Sequence, residues 1–132
     1  MQFAPYISFL GVMAALTLAA CQNTVPFTQE PVRYYGVQTR LLDNDLVQFH
    51  VTLSGTKSAE QVARYAECAA AQYTLIRGFG FARHVRTRIG QQADRISADA
   101  VYTISRSLPQ GTKTIDAEVV ADACARDNIP MV

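Results

Sequence analysis

Residues 46–77, LVQFHVTLSGTKSAEQVARYAECAAAQYTLIR, decide the fold. The first nine alternate, with Val47, Phe49, Val51 and Leu53 on one side and Gln48, His50 and Thr52 on the other. A period of two built from β-branched and aromatic residues is the pattern of a half-buried strand. Gly55-Thr56-Lys57-Ser58 interrupts it, and Ser58 followed by Ala59-Glu60-Gln61 has the S-x-x-E/Q form of a capping box. The spacing therefore predicts a helix over 59–77. Val62, Ala66, Ala69, Tyr73 and Ile76 form its apolar stripe, and Glu60, Arg64, Glu67, Ala71 and Thr74 its exposed side. So many alanines in the stripe imply close packing on a sheet rather than a bulky cofactor pocket.

Downstream, Gly78-Phe79-Gly80 ends the helix with residues that tolerate positive φ. Residues 81–89, FARHVRTRI, alternate again, with Phe81, Val85 and Ile89 on the apolar side and His84, Arg86 and Arg88 opposite; Arg83 falls on the apolar side against the pattern. A polar loop is expected at 90–97, a third strand at 98–107, a turn at Leu108-Pro109-Gln110-Gly111, and a short extended stretch from Thr114. That stretch leads into a helix from about Glu118 to Arg126, stopped by Asp127-Asn128-Ile129-Pro130. Upstream, Asp43-Asn44-Asp45 marks a turn, with Arg40-Leu41-Leu42 as a short hairpin partner for the first strand. The order predicts an α+β fold, a small two-layer sandwich: an antiparallel sheet with one long helix packed across it and a short C-terminal helix. The folded domain is expected over 41–132, with 21–40, which holds two prolines and no sustained period, as a tether.

The chain has 132 residues, enough for one domain, with 12 Lys+Arg against 11 Asp+Glu. A net charge of +1 lacks the basic excess of a dedicated nucleic-acid binder, so no nucleic-acid partner is expected. Every Lys, Arg, Asp and Glu lies after position 29. Within the uncharged start, the apolar run from Ile7 to Ala20 is too short for a bilayer span of ~20 residues but suits the ~7–15 residue core of an export signal. It ends in Leu18-Ala19-Ala20-Cys21, which resembles the lipobox of bacterial lipoproteins. The stretch before Ile7, Met1 to Tyr6, carries none of the Lys or Arg usual in such signals. The resemblance implies a signal peptide over 1–20, cleavage before Cys21, and diacylglyceryl and acyl (palmitate-type) modification of that cysteine. Two or more chains anchor stably. Gln22 in place of Asp implies passage to the outer membrane. The whole pattern is similar to small uncharacterised alphaproteobacterial lipoproteins, a likeness that brings no activity or site residues with it.

With Cys21 assigned to lipid, Cys68 and Cys124 are left as one pair, expected to be bridged in an oxidising periplasm. Metal binding is not expected, since His50, Cys68, His84 and Cys124 contain no close ligand pair. A thiol nucleophile would need His50 or His84 as base. No serine lies in a G-x-S-x-G or S-x-x-K frame, and Gly78-Phe79-Gly80-Phe81 follows a helix where a phosphate loop would precede one. No enzyme and no cofactor are expected. The sharpest local bias is basic: His84, Arg86 and Arg88 on one strand, with His50 on a neighbour, as an anion- or partner-binding surface. The expected function is a membrane-anchored structural or protein-interaction module on the periplasmic side of the envelope. The alternative is an accessory protein binding a small ligand or anion through the Arg/His strand face.

Overall fold

The computed structural model describes residues 30–131. The expected signal peptide (1–20), lipidated Cys21 and the first part of the tether, to residue 29, lie outside the described residues. The elements are β1 (Arg33–Leu41), β2 (Leu46–Ser54), α1 (Ala59–Ile76), β3 (Phe81–Gln92), β4 (Arg95–Ser105), β5 (Thr114–Asp116) and α2 (Ala117–Arg126). The architecture is α+β, a five-stranded antiparallel sheet in the order β1-β2-β4-β3-β5 with two helices. β4 enters between β2 and β3, so the α1 crossover joins strands that are not neighbours.

The local signals act as elementary chemistry dictates. Ser58 caps α1 by accepting from the Gln61 backbone N–H at 3.1 Å, while the Ser58 N–H itself donates to Thr56 Oγ1 at 3.0 Å, so only half of the capping box forms. At the far end Gly78 takes φ +75°. Its N–H donates to the Leu75 carbonyl and that of Phe79 to the Thr74 carbonyl, both at 2.9 Å, which is the Schellman closure. Asp116 caps α2 by accepting from Glu118 and Val119, and Asn128 at φ +54° closes it in the same way.

Two expectations about extent are corrected. The stretch read as tether to residue 40 contains β1, a full nine-residue edge strand paired with β2. A bulge between Tyr34 and Val37, with Gly36 at φ +94°, breaks its alternation and hides it from a period-two reading. The stretch 90–97 is no loop either: Gly90 pairs with Ser97 and Gln92 with Arg95, closing a hairpin through Ala93-Asp94. Its residues 90–95 are exposed, while Ile96 returns to the core.

The core lies between α1 and the inward residues of the sheet. Val47, Phe49, Val51 and Leu53 of β2 and Ile96, Ala98, Ala100, Tyr102 and Ile104 of β4 meet Val62, Tyr65, Ala66, Ala69 and Ala70 of α1. Phe49 is at its centre, edge-on to Tyr73 at 5.6 Å and to Tyr102 at 6.1 Å. The helix stripe is also corrected: Ile76 is exposed, while Ala71 and Thr74 are fully buried. α1 packs against α2 as well as the sheet, so it buries a second side, the one carrying Cys68 and Ala71. There Cys68 and Cys124, both completely buried, form a disulfide.

Candidate functional site

The four residues marked from the sequence do not form one group. β3 carries a bulge between His84 and Arg86, so Val85 is the extra residue and every side chain after it changes face. Before the bulge, Ala82 and His84 point toward α1, with His84 paired to the inward Tyr102. After it, Arg86 pairs with Val101 and Arg88 with Asp99, on the side away from α1. The bulge also places Arg83 outward, in register with Thr103, which removes the mismatch in the sequence pattern.

The outward face thus gathers Arg86, Arg88 and His50, and excludes His84. His50 (β2), Asp99 (β4) and Arg88 (β3) lie in one row across neighbouring strands, at the ~4.8 Å spacing of a sheet. Gln38 of β1 extends the row, pairing with His50. The next row is Arg40, Gln48, Val101 and Arg86. Asp99 accepts from Gln48 Nε2 at 2.6 Å. Arg33 and Arg95 complete the face at one end, Arg95 stacked 4.1 Å over the Tyr35 ring, whose hydroxyl bonds Ser54 Oγ at 3.0 Å. Glu30 and Asp94 lie at that corner with Arg33. Six arginines therefore surround a single carboxylate at the centre of the face. Among the described residues both ion pairs belong to Arg64 on α1, and none to this face. Arg86 is half-buried and its Nη1 atom is fully enclosed without a hydrogen-bond partner. A buried guanidinium N–H that lacks an acceptor is an unused donor, and arginine is the side chain best shaped to take a phosphate or carboxylate. A depression of about 430 Å³ lined by Gln38, Arg40, Gln48, His50 and Asp99 opens on this face.

His84 belongs to a different place, a cleft of about 670 Å³ between α1 and β3 lined by Glu60, Arg64, Glu67, Thr87 and Tyr102 among others. Its Nε2 lies 2.7 Å from Thr87 Oγ1, and its ring stands edge-on to Tyr102 at 5.2 Å. Burial holds its pKa below the ordinary value, with the Lys113 charge acting in the same direction and Glu67 and the Arg86 backbone opposing. Burial likewise pushes the Tyr102 hydroxyl upward. A neutral imidazole against a hydroxyl can exchange a hydrogen bond, and Glu67 already engages Arg64 at 3.1 Å. With both cysteines bridged, neither is available as nucleophile or metal ligand. Among the described residues no group of three or more His, Cys, Asp or Glu could hold a metal ion, and no helix is long and apolar enough to cross a membrane.

The sequence pattern does not bring Arg33, Arg40 and Arg95 to this face, because it presents a tether and a loop at Arg33 and Arg95 and only a three-residue hairpin partner, with no facing, at Arg40.

The molecule is thus one α+β domain whose distinguishing surface is an arginine-rich sheet face. Residues 34–128 match the model of the YNQ4 C-terminal domain, and the chain belongs to that family. The match begins inside β1, in agreement with the corrected domain start. An uncharacterised 26.9 kDa protein in the nqo8 5′ region of Paracoccus denitrificans is 27% identical over 112 residues, covering 80% of this chain and 44% of the relative. The chain therefore spans less than half the length of that relative. Both findings fit the likeness to small alphaproteobacterial proteins. No solved structure matches.

Proposed function

We propose that the protein is a lipid-anchored, non-catalytic module on the periplasmic side of the envelope, attached through Cys21 to the outer membrane, that presents its open sheet face to a polyanionic partner. In this reading α1 lies across one face of the sheet and leaves the other for recognition. The interaction module and the anion-binding accessory expected from the sequence then become one surface, with His84 removed from it. The observation that supports it is the set of six arginines around Asp99, including a buried, unpartnered Arg86 nitrogen. Multiple guanidinium groups on a rigid sheet favour a ligand with several negative charges over a single small anion.

Two measurements test it. The intact mass of the mature N-terminus should show an acylated Cys21, absent in Cys21→Ser. Inorganic polyphosphate should raise the melting temperature, as any ligand selective for the folded state does. The Arg86→Gln/Arg88→Gln variant should lose that rise; retention of it in full would refute the role of the face.

A further inference from the structure

The small net charge conceals a separation of charge between the two sides of the domain. The sheet face holds Arg33, Arg40, Arg83, Arg86, Arg88 and Arg95 against Asp99, with Glu30 and Asp94 at the Arg33 corner. The helices do not share this charge: α1 balances Glu60 and Glu67 with Arg64 and its C-cap Arg77, and α2 is acidic, with Glu118, Asp122 and the caps Asp116 and Asp127 against Arg126. Such a domain has a dipole that an anionic surface orients sheet-first.

The point of attachment lies beside this face. Pro31 is held against Gly55, where a Cβ would sit 2.5 Å from the Pro31 carbonyl oxygen, and Arg33 begins β1 opposite Ser54. Pro31 thus enters at the corner that carries Arg33, Tyr35 and Ser54. About ten residues separate Cys21 from Pro31, a reach of at most roughly 35 Å, close to the diameter of a domain of this size. A chain anchored at Cys21 therefore keeps its arginine face within about one domain diameter of the bilayer.

We infer that the partner of this face is the anionic lipid headgroup surface of the membrane in which the protein is anchored. The sheet lies against the phosphates and the acidic α2 points away. This rests on the anchoring proposed above and names the ligand for the same surface. The tether supplies proximity, and the arginines supply sign: each guanidinium near an anionic leaflet multiplies partitioning about fivefold. Tyr35, exposed beside Arg95, is placed to sit at the headgroup level.

The test uses the full chain as isolated from membranes, reconstituted into phosphatidylcholine vesicles with or without phosphatidylglycerol. Arginines are labelled with phenylglyoxal and read by peptide mass spectrometry. Flotation with the neutral vesicles reports the anchor independently. The expected result is flotation with both, and labelling of Arg83 and Arg88 slowed about fivefold or more only on anionic vesicles. Arg126 should be unaffected. The protection should vanish at ~1 M salt, where the screening length falls to about 3 Å. Equal labelling on the two vesicle types, with flotation intact, overturns the headgroup assignment and leaves the anchor standing; a soluble acidic protein would then be the ligand to seek. Salt-resistant protection on neutral vesicles overturns it in favour of apolar docking. Failure to float removes the anchor, and this inference with it.

Discussion

Reducing the Cys68–Cys124 bond in otherwise unchanged protein isolates the contribution of the link, because no side chain is added or removed. The two cysteines are 56 positions apart, so the bond closes a loop of about 57 residues in the unfolded chain. The chain-entropy relation for that loop gives about 4 kcal/mol at 25 °C. Domains of this size are stable by only ~5–15 kcal/mol in total, so the loss is a large fraction of the whole. At roughly 4–8 °C per kcal/mol, the melting temperature should fall by about 15–30 °C. Both residues are fully buried, so reductant gains access only when the helices part. The protein should therefore be reduced in denaturant and refolded in reductant before melting. Circular dichroism melts of the oxidised and reduced forms, with alkylation to count thiols, give the difference. A reduced protein that melts within about 5 °C of the oxidised one would refute the reasoning. Two alkylated cysteines without reductant would refute the pairing itself.

Gly55→Ala should destabilise by about 2 kcal/mol or more, since φ +80° disfavours any Cβ and the added carbon meets Pro31 backbone at 2.5 Å; a melting temperature unchanged within error would count against a fixed entry point. Because burial lowers the His84 pKa in the folded protein, the unfolded chain takes up the proton first as pH falls below the usual ~6.5. His84 therefore favours folding above that pH, and its contribution is lost as pH falls from about 6.5 through its lower folded value. Urea midpoints between pH 7.5 and 5 should decline, less steeply in His84→Gln, and parallel slopes in the two proteins would contradict the assignment.

How far the sequence could be read depended on whether an element obeyed one period throughout. β2 does, from Val47 to Leu53, and both its extent and its faces follow from the residues alone. The ends of α1 and the stop of α2 are equally legible, because Ser58, Gly78 and Asn128 each serve a local backbone requirement that needs no tertiary context, whereas the Asp116 cap lies inside a stretch that alternates like a strand. β1 and β3 were misread for one shared reason. Each contains a bulge, and one extra residue reverses the facing of everything beyond it. That reversal parted His84 from Arg86 and admitted Arg83. Thr74 and Ala71 read as solvent-facing because the periodicity of α1 does not show that a second element, α2, packs on it from far along the chain.

The position of β4 has a consequence in time. The strand that pairs with both β2 and β3 spans Arg95–Ser105, so of the whole sheet only the β1–β2 hairpin can form before residue 95 is available. An isolated two-stranded hairpin is marginal in water, and α1 has no sheet to rest on until β4 arrives. A chain that emerges N-terminus first therefore stays without a core until residue 105 has followed, and the partner of Cys68 comes later still. Such non-local pairing makes folding slower than that of a helical bundle of the same length.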